Sequence, residues 1–286
     1  MARIVYVNGD YVPESQAKVS VFDRGFLFAD AVYEVCAVVG GKLVDFDAHM
    51  ARLARSCGEL SLACPWSSDQ LHEIHQRLIT ENALQEGAIY LQLSRGNPGD
   101  RDFAFPPDSV TPTLVLFTQQ KSLIDNAKAL EGIRVVTCPD IRWQRRDIKT
   151  VGLLAACLAK TWALRHGVDD ALLVEEGFIT EGTSFNVFMV TDDNAIITRP
   201  LSHGILHGIT RRALLRLAQQ SGQHIIERAF TPEQARNARE VFVSSATSFI
   251  WPVVEIDGLT IADGKPGPVT RRLRALYLEM IDEQIG

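Results

Sequence analysis

The alternation of hydrophobic and polar positions predicts β-hairpins at the start of the chain. Within Val5–Val12, apolar stretches flank the pair Asn8-Gly9, the strongest short signal for a two-residue hairpin turn. Val32–Phe46 repeats the pattern around a Gly-Gly pair. The period of two in both stretches indicates antiparallel strands at the beginning of the fold.

Two helical patterns follow these strands. Apolar residues at helical spacing span His49–Leu60, and Asp47 is the predicted N-cap of this helix. A second helix is predicted from Ser67 to about Leu84, because Ser67 and Gln70 form the sequence signature of a capping box.

The remaining pattern predicts an α+β protein with two domains. Strands are expected at Ala88–Arg95 and Thr113–Thr118, and a looser polar connection follows them. We predict a small N-terminal α/β domain over residues 1–120, a connection over 121–132 and a larger β-rich C-terminal domain over 133–286. The predicted elements of the second half are strands at Ile133–Cys138, Ala171–Val174, Phe185–Val190, Ala195–Thr198, Val241–Ser244 and Val253–Ile256, and helices at Gly152–His166, from Gly208 to near Gly222, from Thr231 and from Pro268.

Composition and charge narrow the functional classes. The chain has 286 residues and a formal net charge of −6, so it shows no basic footprint for nucleic acid. We see no secretory signal, and no apolar run is long enough to span a bilayer. Its five cysteines are scattered, without a Cys-x-x-Cys pair, which favours reduced thiols in the cytoplasm.

The sequence motifs predict neither a metal site nor a nucleotide-binding site. His72 and His75 flank a glutamate, but the zinc-binding helix motif needs its second histidine four residues after the first. A surface helix explains them better, and we predict no metal site. No glycine-rich phosphate loop follows a predicted strand, so nucleotide-dependent chemistry is not expected.

Lysines are rare, and one of them has an unusual setting. Only seven of the 29 basic residues are lysines. Lys149 follows three arginines and precedes an apolar stretch, and both surroundings favour a neutral amine over an ammonium. A neutral amine is what Schiff-base chemistry requires, although a solvated basic loop would explain the same residues.

Further residues could bind an anion or a flat ligand. Gly208-Ile209-Thr210 opens a helix, whose first amides favour a phosphate. The segment 244–248 is a second turn of small residues after a strand. Each of the two could also be an ordinary cap or turn. Glu181, followed by Gly and hydroxyl residues, could lie against a flat ligand or serve as a hairpin-turn residue.

These pieces occur in an order that resembles the fold-type IV pyridoxal 5′-phosphate transaminases, and within them the D-amino-acid transaminases. The resemblance runs nearly end to end. Five motifs carry it: Phe22-Asp-Arg-Gly-Phe-Leu-Phe-Ala-Asp-Ala-Val-Tyr-Glu-Val, His49-Met-Ala-Arg-Leu, Arg142-Trp with Asp147-Ile-Lys, Thr180-Glu-Gly-Thr-Ser-Phe-Asn-Val-Phe, and Gly208-Ile-Thr-Arg. Each motif alone is weak, and their common order makes them specific.

The resemblance implies a cofactor site. Lys149 would form an aldimine with pyridoxal 5′-phosphate and then move the proton, and Glu181 would pair with the pyridine nitrogen. Arg52 would bind the phosphate together with the amides of Ile209 and Ala246 and the hydroxyl of Thr210.

The same resemblance implies a substrate side and a reaction. Tyr33, Arg101, Phe103 and Thr247 would face the amino-acid or keto-acid substrate, and Arg101 would hold its α-carboxylate together with Tyr33. The expected reaction is a ping-pong transamination of D-alanine and 2-oxoglutarate to pyruvate and D-glutamate. Such enzymes are typically homodimers, and no nucleic acid or membrane partner is expected.

Three departures from the family pattern leave alternatives open. Phe103 stands where the family's Arg-x-His carboxylate trap has histidine, and the loop looks one residue longer, which leaves more than one register open for Arg101. Ala246 replaces a hydroxyl residue, and Ala31 replaces a glycine. The alternatives are a branched-chain L-amino-acid transaminase, an (R)-amine transaminase, an aminodeoxychorismate lyase and a catalytically silent cofactor-binding protein.

Overall fold

The structure is a computed structural model that describes residues 2–285. The chain forms two compact units. The first comprises the residues up to Ser122 together with Ile148–Gly152 and Ile285, and the second comprises Leu123–Asp147 and Leu153–Gln284. The short segment Ile148–Gly152 therefore belongs to the first unit although the chain on both sides of it belongs to the second.

The first unit is built on a six-stranded antiparallel sheet. Its spatial order is β2-β1-β6-β5-β3-β4. The Asn-Gly hairpin is confirmed, because Val7 and Asp10 pair on either side of the turn. The Gly-Gly hairpin is confirmed between β3 and β4. The strands are β1 Ile4–Val7, β2 Asp10–Pro13, β3 Ala31–Val39, β4 Lys42–Leu43, β5 Gly87–Ser94 and β6 Thr113–Gln120.

Helices α1 Arg24–Phe28, α2 Phe46–Glu59 and α3 Ser68–Glu81 complete this unit, with a 3-10 turn at Glu14–Gln16. The predicted capping box on α3 is confirmed. Buried residues of α2 and α3 pack against β3, β5 and β6 to form the core of the unit. Ile148 also lies in this core, which anchors the Ile148–Gly152 segment there.

The predicted N-cap of α2 was wrong. The helix begins at Phe46 and its N-cap is Asp45, not Asp47, which lies in the first turn. Asp45 has φ 54°, a left-handed conformation that ends the preceding hairpin and turns the chain into the helix. Because an aspartate is favourable both at the cap and in the first turn, composition could not separate the two positions.

The second unit contains a nine-stranded mixed sheet. Its order is β12-β11-β10-β13-β14-β7-β8-β9, and β15 pairs with β14. The pairs β7–β8, β7–β14 and β11–β12 are parallel. The strands are β7 Ile133–Pro139, β8 Asp170–Glu175, β9 Phe178–Gly182, β10 Asn186–Val190, β11 Ile196–Thr198, β12 Ile225–Glu227, β13 Glu240–Ser245, β14 Phe249–Ile256 and β15 Leu259–Thr260.

The second unit also holds five helices. Part of the predicted polar connection is helical, because Asn126 caps the short α4 with its side chain. The predicted cap at Thr231 with Pro at the first helical position is confirmed. The helices are α4 Ala127–Glu131, α5 Leu154–Arg165, α6 Ile209–Gln220, α7 Pro232–Arg236 and α8 Pro268–Ile285. Within residues 2–285, none of the helices is both long and apolar enough to cross a membrane.

Candidate active site

Lys149 lies beside Tyr33 in the first unit. The Tyr33 amide donates to the Lys149 carbonyl over 3.0 Å, and Val32 and Thr150 form an antiparallel bridge. These contacts hold the segment Ile148–Gly152 along the start of β3. The Lys149 Nζ then lies 4.1 Å from the centroid of the Tyr33 ring, within range of a cation–π contact when the amine is charged. Lys149, the expected cofactor-binding lysine, and Tyr33, an expected substrate-side residue, are thus in direct contact.

Arg52, the predicted phosphate ligand, lies on α2 and is buried against Glu34 of β3. Its Nε and Nη2 donate to the two carboxylate oxygens of Glu34, each over 2.8 Å, and His49 Nδ1 lies 2.7 Å from Oε2. Burial alone would raise the pKa of Glu34, but Arg52 and His49 hold it well below its usual range. Glu34 therefore fixes the plane of the guanidinium. Sequence reasoning missed Glu34, although it directly follows Tyr33.

Glu181 lies at the centre of a buried polar cluster in the second unit. Its Oε1 accepts from Arg142 Nη1 over 2.6 Å, its Oε2 accepts from Asn186 Nδ2 over 3.1 Å, and the Leu206 amide donates to both oxygens. Burial raises the pKa of Glu181, and the Arg142 guanidinium opposes that shift. Each of these neighbouring groups donates, so the ionised carboxylate is the form that the site satisfies.

The arginines that precede Lys149 are paired with carboxylates. Arg142 joins Asp140 at 2.7 Å as well as Glu181, and Arg146 joins Glu175 at 2.6 Å. Arg145 lies 3.1 Å from Asp147. The positive charge that the sequence suggested around Lys149 is therefore compensated. What the sequence did not show is that Arg142 supports Glu181.

The start of α6 fits an anion. Gly208 is its N-cap and offers no side-chain cap, and Thr210 is buried in the first turn. A side chain at Gly208 would place its Cβ 2.1 Å from Asn186 Oδ1, so only glycine fits this approach. The amides of Ile209 and Thr210 belong to the first helical turn, where no intrahelical acceptor exists.

The turn after β13 is the second predicted element of this anion site. Ser245 and Ser248 hydroxyls lie 2.7 Å apart and close the turn over Ala246 and Thr247. Ala246 and Thr247 are half-buried. Ser244, just before the turn, has a buried hydroxyl without a partner among the described residues. The hydroxyl pair fixes the backbone at Ala246, whose amide is the predicted phosphate donor.

Arg101 and Phe103 lie on the loop between β5 and β6. The Arg101 guanidinium lies 4.8 Å from the ring centroids of both Phe28 and Phe103. Phe103 is 76% exposed. An aromatic side chain this exposed is unusual, so the structure places Phe103, which we predicted to replace the family histidine, on an open surface of the first unit.

The two histidines of α3 differ in burial, which corrects the surface-helix interpretation. His72 is exposed, but His75 is fully buried, with its Nδ1 2.7 Å from the Leu71 carbonyl. Burial lowers the pKa of His75 to about 4. Among residues 2–285, no group of three or more His, Cys, Asp or Glu side chains is arranged to hold a metal ion.

Comparison with known proteins places these observations in a family. The profile of the amino-transferase class IV family matches residues 31–256. A D-alanine aminotransferase of Staphylococcus aureus (strain MW2) is 38% identical over 279 residues, which cover 97% of this chain and 98% of that protein.

Solved structures agree with this placement. A branched-chain amino acid aminotransferase of Escherichia coli superposes with a TM-score of 0.88 at 27% identity, covering 98% of this chain and 94% of that one. A second branched-chain amino acid aminotransferase, from T.th. and solved with pyridoxamine 5′-phosphate, gives a TM-score of 0.88 at 26% identity, covering 98% and 94%. The fold is that of the two-domain fold-type IV transaminases, as predicted. The chain belongs to the amino-transferase class IV family, so the predictions of family and enzyme class are confirmed.

Proposed function

We propose that this chain is a D-amino-acid transaminase that moves the amino group of D-alanine to 2-oxoglutarate, giving pyruvate and D-glutamate. It is a pyridoxal 5′-phosphate enzyme, as are the other class IV aminotransferases. One observation supports the choice of substrate: D-alanine aminotransferases align with nearly the whole chain. The enzyme of Listeria monocytogenes is 34% identical to this chain, and that of Staphylococcus aureus is 38% identical.

The residues of this chain suit the cofactor. Phosphate requires N–H and O–H donors, and the uncapped first turn of α6 supplies the amides of Ile209 and Thr210. A protonated pyridine nitrogen requires a buried carboxylate, and Glu181 is one whose ionised form is hydrogen-bonded. When bound, pyridoxal phosphate supplies an electron sink for the bonds at the substrate Cα. We assign the phosphate to Ile209, Thr210, Ala246 and Arg52.

Lys149 and Glu181 do the chemistry in this proposal. The Lys149 amine would hold the cofactor and would carry the proton to and from the substrate Cα. Tyr33 touches the Lys149 amine, so it restricts where that proton carrier can lie. Glu181 would hold a proton at the ring nitrogen, and Arg142 and Asn186 fix the orientation of the Glu181 carboxylate.

Arg101 binds the substrate carboxylate in this proposal, with Tyr33, Phe103 and Thr247 around the substrate. A guanidinium can hold a carboxylate through two parallel N–H donors. Its stacking on Phe28 and Phe103 leaves the edge of the guanidinium, which bears the donors, available for such a pair. Amino acids and keto acids share the carboxylate, so one site serves both halves of a ping-pong reaction.

We further propose that the enzyme is a cytoplasmic homodimer. Leu154, Leu158 and Trp162 are spaced by four residues on α5 and are 75%, 54% and 39% exposed, which supports a helix face that a second subunit covers. All five cysteines are free thiols, Cys157 on the same helix included, which supports a reducing compartment.

A substrate comparison tests the proposal. The holoenzyme is incubated with 2-oxoglutarate and, separately, D-alanine, L-leucine or (R)-1-phenylethylamine, and glutamate formation is measured. We expect turnover with D-alanine at least about tenfold above the other donors, a difference of about 1.4 kcal/mol in transition-state binding. Preference for L-leucine would favour a branched-chain transaminase, and preference for the amine would favour an (R)-amine transaminase. Either result would overturn the proposal.

A further inference from the structure

Arg24 is a buried cation at the base of the loop that carries Arg101. It is only 3% exposed, and it begins α1, whose N-cap Asp23 accepts from the Gly25 amide. The Ser94 hydroxyl at the end of β5 also donates to Asp23, over 2.9 Å. The start of α1 is therefore fixed to the strand from which the loop departs.

Two guanidiniums share one carboxylate at this place. Arg24 Nε and Arg95 Nε donate to the same Asp30 oxygen, over 2.7 and 2.8 Å. One carboxylate cannot satisfy the donors of two buried guanidiniums, so the remaining N–H groups need other acceptors. Arg95 finds them in the carbonyls of Leu60 and Ser61, each over 2.8 Å.

Arg24 finds its remaining acceptors in the loop itself. Its Nη1 donates to the carbonyl of Asp102 over 2.6 Å and to that of Ala104 over 3.2 Å, and its Nη2 faces the Phe103 carbonyl at 3.5 Å. The guanidinium thus holds three consecutive carbonyls. They belong to Phe103, which packs against Arg101, and to the residue on each side of it.

An aromatic ring joins Arg24 to Arg101. The Arg24 guanidinium lies 4.6 Å from the centroid of the Phe28 ring, and the Arg101 guanidinium lies 4.8 Å from the same centroid. Contacts of this kind restrict the guanidinium of Arg101, which as a long side chain would otherwise sample many rotamers. Arg24 therefore contacts both the backbone that directly follows Arg101 and the ring against which the Arg101 guanidinium lies.

We propose that Arg24 is a positioning residue for substrate binding: it holds the segment Asp102–Ala104 so that Arg101 presents its guanidinium to the substrate carboxylate and Phe103 keeps its exposed place. This inference rests on the proposed function, because it takes Arg101 as the carboxylate ligand. A lysine at position 24 would keep the charge but could not reach Asp30 and the three carbonyls together, because its donors diverge from a single nitrogen.

The test combines kinetics with hydrogen exchange. We expect Arg24→Lys to raise the KM for D-alanine roughly ten- to hundredfold, since misplaced binding groups cost up to about that much, with a kcat change of less than about threefold. The same substitution in an Arg101→Ala background, followed as kcat/KM, should add less than about twofold, because the partner through which Arg24 acts is then absent. Arg77→Lys, on the surface of α3, is the matched control and should leave both constants unchanged.

Hydrogen–deuterium exchange separates this inference from the proposed function. Peptides covering residues 97–112 should exchange at least about threefold faster in Arg24→Lys, while α3 stays unchanged. An equal kinetic effect of Arg24→Lys in both backgrounds, or unchanged exchange of the loop, would overturn the inference. If the wild-type enzyme does not use D-alanine, the proposed function fails, and loop exchange still decides whether Arg24 holds the loop.

A second variant covers the case in which Arg24→Lys does not fold. Phe28→Leu removes the shared ring without unpairing a buried charge, and folding is checked by circular dichroism. We expect it to raise the KM for D-alanine severalfold, again only when Arg101 is present. An unchanged KM in Phe28→Leu would contradict the coupling between Arg24 and Arg101.

Discussion

The amine of Lys149 lies 4.1 Å from the centre of the Tyr33 ring, although the two residues are far apart in the sequence. The contact exists because Ile148–Gly152 pairs with the start of β3, through Tyr33 N to Lys149 O and Val151 N to Ala31 O. Backbone hydrogen bonds to β3 therefore fix the position of the candidate catalytic amine. A solvated basic loop does not account for this arrangement.

Replacing Lys149 tests whether this amine attaches the cofactor. Lys149→Ala should abolish the visible absorbance of the purified holoenzyme, because no other amine would bind the cofactor covalently. Lys160→Ala is the control. Lys160 lies on α5 and pairs with Asp170 of β8 at 2.6 Å, and replacing Lys160 should leave the absorbance unchanged. A visible band retained in Lys149→Ala and lost in Lys160→Ala would show that the assignment names the wrong lysine.

Arg142 should be necessary for the stability of the second unit. Arg142→Leu leaves the buried Glu181 without its cation, whereas Asp140 keeps Arg146 at 3.5 Å, and breaking a buried pair in this way costs about 3–5 kcal/mol. Urea unfolding measures the loss, with the exposed Arg165→Leu as a control that should change stability by less than about 0.5 kcal/mol.

The same variant has a predicted pH dependence. Without Arg142, the pKa of Glu181, already raised by burial, rises further above its unfolded value. A carboxyl group with a raised folded pKa loses stability as pH rises through that range, so Arg142→Leu should be more destabilising at pH 8 than at pH 5. Adding Glu181→Gln should reduce this difference. A pH-independent cost would contradict the pairing.

Buried His75 should make the protein less stable in mild acid. Its pKa is about 4 in the folded state, below the value of about 6.5 in an unfolded chain. The unfolded state therefore gains protons first as pH falls below 6.5, and stability falls until about pH 4. Between pH 7 and pH 5 this contributes about 2 kcal/mol.

A histidine substitution isolates that contribution. His75→Phe should flatten the decline of unfolding free energy between pH 7 and pH 5, measured by denaturant titration at each pH. His72 is exposed on the same helix, so His72→Phe should show the same decline of unfolding free energy between pH 7 and pH 5 as the wild-type protein. Equal slopes for the wild-type protein and His75→Phe would show that His75 does not control the acid response.

Phe103 should influence whether the enzyme prefers amino acids or amines without a carboxylate as amino donors. Phe103→His restores the Arg-x-His pattern of the resembling family, and its added donor should lower the KM for D-alanine by about tenfold. The same change should reduce any turnover of (R)-1-phenylethylamine. The control Phe26→His changes a phenylalanine of similar exposure on α1. A higher KM for D-alanine in Phe103→His would contradict this position's assignment to the substrate carboxylate.

The sequence predicted much of this fold because its signals were local. The turn at Asn8-Gly9 and the capping box of Ser67 and Gln70 depend on neighbouring residues, and the structure contains both. The choice between Asp45 and Asp47 failed because it depended on the left-handed conformation of one residue. Local preference could not distinguish these positions.

The supporting contacts of the candidate site were not predictable from local pattern. Glu34 contacts Arg52, Arg142 contacts Glu181, and Arg24 contacts the Arg101 loop. Glu34, Arg142 and Arg24 stand in the family motifs, but each of these contacts joins residues that are distant in sequence. The family resemblance named Lys149 and Glu181 as candidate site residues because their motifs are short and ordered. It gave no partner for either, since partners are set by tertiary packing.

The configuration of the glutamate product tests the central claim most directly. The holoenzyme is incubated with D-alanine and 2-oxoglutarate, and glutamate is separated by chiral chromatography alongside pyruvate. The account predicts D-glutamate in amounts equal to pyruvate. L-glutamate, or pyruvate without glutamate, would contradict it.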